Sequence, residues 1–214
     1  MEITPVNLNW KETYKLLVGS ILPRPIAFVT TVDRNGIVNA APFSFFTAIS
    51  ADPMLICFSP MRKGTDGSKK DTLANIETTK EFVINIVSED FVDQMNICAA
   101  DYPSNMDELE AAGLTKAESS IVNPPRVKES KVHFECLLQE VLHFGDKAGA
   151  GSLVIGKVVH VHIAEDLYEG GRINSAGLNP IGRMAGHIYT KPMTDIFELI
   201  RKNEPPAPKR ENGT

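Results

Sequence analysis

Two twelve-residue stretches constrain the architecture more than any other feature of this chain. From Val132 to His143, the residues Val132, Phe134, Cys136, Leu138 and Leu142 recur on one face, broken only by Glu140. From Ser152 to Ile163, the residues Leu153, Ile155, Val159, Val161 and Ile163 do the same, interrupted by Lys157. Period-two alternation over that length predicts strands with one buried face. On this reading Glu135 and Glu140 have no evident partner, and His133 and His143 fall at outward or strand-end positions.

Shorter apolar runs surround this pair. Ile26 to Val32 ends at Asp33-Arg34-Asn35-Gly36, a strong turn signal, and Ile37 to Ala41 reads as the returning strand. Asp52-Pro53 marks another turn, followed by the strands Met54–Ser59 and 82–87. The predicted helices are short. Asp71-Thr72 caps one carrying Leu73 and Ile76 inward, and Ser88 caps one carrying Phe91, Met95 and Cys98. Ser104 begins one that stops at Gly113, and Thr194 precedes a last one with Ile196, Phe197 and Ile200. Strands dominate and do not alternate with crossover helices, so the expectation is a mainly β, antiparallel barrel with peripheral short α-helices. Its 214 residues fit one domain over 1–203, with the core-poor segment 204–214 as a flexible tail.

Composition excludes several functions. The net charge of −5 argues against a nucleic-acid surface and against an anionic membrane patch. No apolar run approaches the ~20 residues needed to span a bilayer. The first residues show no basic region followed by an apolar stretch, which predicts a cytoplasmic protein. Three cysteines far apart, Cys57, Cys98 and Cys136, argue against a disulfide framework or a local zinc site. There is no Gly-x-Gly-x-x-Gly, no phosphate-loop sequence and no Gly-x-Ser-x-Gly elbow. His160 and His162 alternate on a strand, but no third ligand is apparent, so no metal site is expected.

Two constellations remain. Between Arg62 and Lys70 there are four cations and one anion, a local balance of +3, interleaved with Gly64, Thr65, Gly67 and Ser68. A phosphate needs converging donors, positive charge and close backbone approach, and this loop runs into a helix start at Asp71-Thr72. The competing reading is a solvated surface loop. The tract Asn39 to Thr47 offers Asn39, Ser44 and Thr47 to a hydrogen-bonding ring edge. Phe43, Phe45 and Phe46 offer apolar cover, and Pro42 stiffens the backbone. Core aromatics are the competing reading there. His187, in the segment Arg183 to Tyr189, sits among small residues beside a cation and a phenol, where a substrate could dock; an edge-strand histidine is the alternative. A flat polar ring joined to a phosphate describes flavin mononucleotide, FMN.

Taken together, several motifs resemble the flavin reductase-like, FMN-binding split-barrel family, in the branch that includes flavoredoxin and the reductase component of nitrilotriacetate monooxygenase. They are Leu17 to Pro25, Val29-Thr30-Thr31, Asn39 to Phe46, Lys70 to Ile76, Phe134-Glu135-Cys136 and Arg183 to Tyr189. The resemblance implies a Greek-key split β-barrel, a homodimer, and one FMN per subunit. It implies cofactor contacts from Arg24, Thr30, Thr31, Asn39, Ala40, Ala41, Pro42, Ser44, Phe45, Phe46, Ser59, Arg62, Lys70, Asp71 and Thr72. His187 would steer the nicotinamide. The implied activity is hydride transfer from NADH or NADPH to flavin N5, with electrons passed to a partner such as a flavin-dependent monooxygenase. A non-enzymatic FMN electron carrier of the flavoredoxin type is the alternative.

Overall fold

The computed structural model describes residues 1–200, so the expected tail at 204–214 lies outside the described residues. The chain opens with a helix, α1 (Trp10–Ser20), that the strand-led reading missed. Its signal was local. The Asn9 side chain accepts from the amides of Lys11 and Glu12, while the Glu12 carboxylate accepts from the Asn9 amide, a capping box. At the other end Arg24 Nη1 donates to the carbonyls of Val18 and Ile21 at 2.9 and 3.0 Å, placing a buried cation at the helix C-terminus.

The strands follow as β1 (Arg24–Pro25), β2 (Ala27–Val32), β3 (Val38–Phe43), β4 (Phe46–Ala51) and β5 (Met54–Phe58), then helix α2 (Asp71–Thr79) and β6 (Glu81–Ile86). The predicted hairpin turn forms as expected, with Asp33 Oδ1 accepting from the amides of Asn35 and Ile37 and Gly36 at φ 84°. Next come α3 (Val92–Ile97), α4 (Glu108–Ala111), the short pair β7 (Lys116–Ala117) and β8 (Arg126–Val127), and the long hairpin β9 (Val132–His143) and β10 (Ser152–Ile163). Short elements close the described chain: β11 (Tyr168–Glu169), β12 (Arg172–Ile173), α5 (Ser175–Leu178), β13 (Gly182–Arg183) and β14 (Tyr189–Thr190).

Seven strands form one antiparallel sheet in the order β3-β2-β6-β9-β10-β5-β4. Its two edges, β3 and β4, are consecutive in sequence and joined only by Ser44 and Phe45. Two residues span at most ~7 Å. The sheet must therefore roll until its edges nearly meet, which makes a barrel split along the β3–β4 seam. The fold is the mainly β barrel expected from the strand pattern, with the Greek-key split form that the resemblance implies.

Alternation along β2 shows how the walls are filled. Ala27 and Val29 point into the barrel with Phe43, Phe58, Phe82, Ile84, Cys136 and Val154, and Leu73 and Ile76 of α2 join them. Phe28, on the other face, packs with Phe91, Met95 and Leu109 from the helical side. Both faces of β2 are therefore buried. Gly156 is a tight point inside, since a Cβ there would lie 2.4 Å from Phe82 Cζ.

Several expectations change. Gln139 is skipped in the β9–β10 register, a bulge between Leu138 and Glu140. The bulge swaps faces, so Leu138 and Val141 pack inward and Leu142 is 39 % exposed. On β10 the interior face carries Val154 and Val158, with Val161 turned out, opposite to the expected face. The Ser104 helix shortens to α4, capped by Asp107, whose side chain accepts from Leu109 and Glu110. Ser88 makes no cap hydrogen bond; a 3-10 turn, Glu89–Phe91, precedes α3. No helix forms over residues 194–200. Among the described residues, no helix is long and apolar enough to cross a membrane.

His133 and Glu135 were expected outward or unpartnered, yet both are buried. Glu135 accepts from the amides of Ser120, Ile121 and Val122 at 2.7, 2.6 and 3.1 Å and meets His162 Nε2 at 2.5 Å. Although burial opposes the charge, these bonds together hold the carboxyl down at about 2. His133 is pushed down to about 4 by burial; its Nε2 lies 2.8 Å from the Val127 carbonyl and its Nδ1 has no partner. Between pH 6.5 and 4 the unfolded chain therefore binds a proton at His133 that the fold does not, and between 4.5 and 2 the same holds at Glu135. Both contributions are lost as pH falls. Glu108, raised by burial, acts in the opposite sense just above pH 4.5. The melting temperature should fall steadily from pH 7 to pH 4, and His133→Phe should flatten the fall between pH 6.5 and 4. An unchanged slope in that variant would remove His133 from the account.

Candidate active site

The β3–β4 seam opens into a groove. Three adjoining depressions share Pro42 as a common wall. One is polar and is lined by Asn39, Ala41, Lys63, Lys70, Asp71, Thr72, Cys98 to Tyr102 and Glu108. The second, about 210 Å³, is bordered by Tyr14, Phe43, Ser44, Phe45, Ser59, Met61 and Lys70. The third, about 190 Å³, is bordered by Tyr14, Ile26, Ser44, Met95, Ala99, Arg183 and Tyr189.

The groove exists because β3 is an edge. Its partner β2 takes one side, and the Ala40 amide points the other way, donating to Glu108 Oε2 at 3.0 Å. By the alternation of an antiparallel ladder, the main chain of residue 42 also faces away from β2. A proline at that position sacrifices no sheet hydrogen bond, which is why an edge strand tolerates it.

Behind the groove wall lies a buried polar node. Asn39 Nδ2 donates to Glu108 Oε1 at 2.6 Å, and Asn39 Oδ1 accepts from Thr72 Oγ1 at 2.7 Å and Thr31 Oγ1 at 3.4 Å. Asn75 Nδ2 donates to Thr31 Oγ1. The node fastens β2, β3, α2 and α4 to one another. It also commits the side chains of Asn39 and Thr72 to the protein. Asn39 and Thr72 were expected to meet a ring edge and a phosphate; here they position the strand and helix that border the groove.

The cationic end is built differently from expectation. Lys63 and Lys70 line it, with Lys63 Nζ 3.9 Å from Asp71 and Lys70 Nζ 3.2 Å from Asp101. Asp71-Thr72 was expected to cap helix α2, but the cap position falls on Lys70 and no side chain fills it. Asp71 is therefore the first helical residue, and the amides of Asp71 and Thr72 have no intrahelical partner. Arg62 does not reach the groove: its Nε and Nη1 donate to the carbonyls of Gly145 and Gly67. Trp10 packs between this loop, at Gly64, and the β9–β10 connection, where a Cβ on Gly149 would lie 2.5 Å from the indole.

The other predicted residues divide clearly. Ala41, Pro42, Ser44, Phe45, Ser59, Lys70 and Asp71 line the groove. Ala40 is buried at the node, and Phe46 packs against the barrel interior. Arg24 gives Nη1 to helix α1, Nη2 to the Met184 carbonyl and Nε to Ser44 Oγ. Thr30 turns to the opposite face of the sheet, donating to the Pro125 carbonyl at 2.6 Å. His187 is exposed at the tip of the β13–β14 hairpin and does not line the groove. From the same hairpin Arg183 and Tyr189 do line it, with the guanidinium 4.4 Å from the ring centroid. Tyr14, Asp101 and Glu108 were missed. Tyr14 is set against Phe45, 6.2 Å between centroids. Only the capping box hinted at α1, and no sequence signal marked Asp101 or Glu108.

The split barrel thus carries, along its seam, a groove lined by edge-strand backbone, aromatics and a cationic helix start. The chain matches the flavin reductase like domain family over residues 18–177, and it belongs to that family. It is 45 % identical to nitrilotriacetate monooxygenase component B from Bacillus cereus, covering 93 % of this chain and 98 % of that one with a TM-score of 0.88. It is 30 % identical to 2-nitrobenzoate 2-nitroreductase NbaA of Pseudomonas fluorescens, over 97 % and 100 % of the two chains, with a TM-score of 0.85. An uncharacterized protein of Halalkalibacterium halodurans is 44 % identical over 94 % of this chain and 96 % of its own.

The node predicts a specific cost. Asn39→Ala removes both donors' acceptor and Glu108's partner, and should destabilise the fold by about 3 kcal/mol. Urea denaturation measures it, and a loss under about 0.5 kcal/mol would contradict the node's structural weight.

Proposed function

We propose that the protein is an FMN-dependent NAD(P)H:flavin oxidoreductase. The observation that carries this reading is the seam itself: edge-strand backbone and aromatics along a groove that ends at two lysines and an uncapped helix start. Lys63 and Lys70, with the amides opening α2, would hold a phosphate. Pro42, Ser44 and the β3 backbone would orient the ring's polar edge, while Tyr14 and Phe45 cover apolar surface. One anionic tail meets one cationic end, which favours the mononucleotide. When bound, the flavin supplies the two-electron acceptor for hydride from NADH or NADPH. The residues present bind, orient and exclude water; among those lining the groove, no histidine stands ready as an acid or base.

The nicotinamide would approach beside the β13–β14 hairpin, with Arg183 and Tyr189 as its wall and His187 at the rim. A partner such as a flavin-dependent monooxygenase would then take the electrons, and the likeness to a monooxygenase component supports that reading. We also infer a homodimer. Ile49 and Met54 on the β4–β5 hairpin, and Leu137, Leu142 and Val161 on β9 and β10, are each 36–46 % exposed, apolar surface that a second copy would cover. The chain would work in the cytoplasm as one domain.

The purified protein should show flavin absorbance in the visible and bleach rapidly with NADH or NADPH under anaerobic conditions. Bleaching only by dithionite or by a separate reductase would favour the electron-carrier reading. Lys63→Ala with Lys70→Ala should weaken FMN binding at least tenfold, since charge-assisted hydrogen bonds contribute ~1.5–3 kcal/mol each. Unchanged affinity would remove the phosphate assignment. His187→Ala should lower turnover with the nicotinamide substrate more than it lowers FMN affinity, as steady-state kinetics and a flavin titration would show; equal losses would make the residue structural.

A further inference from the structure

Among the described residues, two carboxylates are buried, Glu108 and Glu135. Glu135 faces His162 and the 120–122 amides, remote from the groove. Glu108 lines it. Its two oxygens take different parts of one edge strand: Oε1 accepts from Asn39 Nδ2 and Oε2 from the Ala40 amide. The next three residues, Ala41, Pro42 and Phe43, form the groove wall. No cation of the described residues pairs with Glu108, and the lysines across the chamber face Asp71 and Asp101 instead. A buried, unpaired carboxylate is costly to keep. Burial accordingly raises its proton affinity.

We propose that Glu108 is a positioning residue with an electrostatic role: it sets the β3 backbone against the flavin ring and keeps a negative charge beside that ring, favouring the oxidised over the reduced form. The inference rests on the flavin reading above. The geometry carries both halves. Two hydrogen bonds of 2.6 and 3.0 Å determine where the strand lies. The carboxylate is buried and lines the same depression as Ala41 and Pro42, the strand residues read above as the ring's wall, a setting where electrostatic interactions are strong. Reduced flavin carries an extra negative charge near neutral pH, so a fixed anion beside the ring disfavours it and makes the bound flavin a stronger reductant. A protein that passes electrons onward gains driving force from that arrangement.

The test is a pair of titrations, of oxidised and of anaerobically reduced FMN, on wild-type protein and on Glu108→Gln. The glutamine keeps the shape, removes the charge and turns an amide toward one of the two donors. Affinity for oxidised FMN should fall. The ratio of reduced to oxidised affinity should rise about tenfold, a shift of about 30 mV for a two-electron couple. Glu108→Asp keeps the charge but withdraws the oxygens by one methylene, so both affinities should fall together with the ratio retained. An unchanged ratio in a folded Glu108→Gln overturns the electrostatic half. Wild-type affinity in Glu108→Asp overturns the positional half, and it does so even if the glutamine variant fails to fold. Wild-type protein that binds neither form would overturn the flavin reading itself, a result distinct from both.

Discussion

The hydrogen bonds around Asn39 hold together everything the groove needs. One primary amide joins the edge strand to the carboxylate of α4 and to the hydroxyls of α2 and β2. Each group is buried, so each would carry a desolvation penalty if its partner were lost. That makes the arrangement close to all-or-none. The strand, the start of α2 and the 98–108 segment cannot shift independently, and the groove between them keeps one shape.

Rolling of the sheet supplies the second constraint. Because only Ser44 and Phe45 separate the two edge strands, the sheet rolls until its edges approach, yet β3 and β4 do not pair. Pro42, which offers no amide hydrogen, sits on the open edge and keeps it from being zipped. The same residue borders all three depressions. Topology and one imino acid thus create a cleft with backbone groups on its wall, and the aromatics and lysines furnish it.

Legibility varied with the kind of signal. The hairpin at Asp33–Gly36, the β-rich class and the tract from Ala41 to Phe45 could be read directly, because turn chemistry and alternation are local. Lys70 and Asp71 were rightly placed at a helix start beside the groove. On β9 the expected face holds through Leu138 and fails beyond it, because the bulged Gln139 inverts the positions that follow and leaves no trace in a pattern of apolar letters. On β10 apolar residues occupy both faces, and alternation alone picked the wrong one. Glu135 looked unpartnered and His133 outward because their partners lie in residues 118–127, whose return over the sheet no spacing announces.

Alternation and turn residues determined from sequence alone that this chain would be a mainly β barrel, since those are short-range properties of the backbone and side chains. Which polar groups face the cleft was decided only by the tertiary structure. Thr72, Asn39, Arg24 and Arg62 had the right chemistry for a ligand, but each found a nearer partner in the folded protein. Glu108 and Tyr14 had no motif to mark them and arrived through packing. Hydrogen-bonding capacity is finite, and what remains for a ligand is known only after the fold has satisfied its own buried groups.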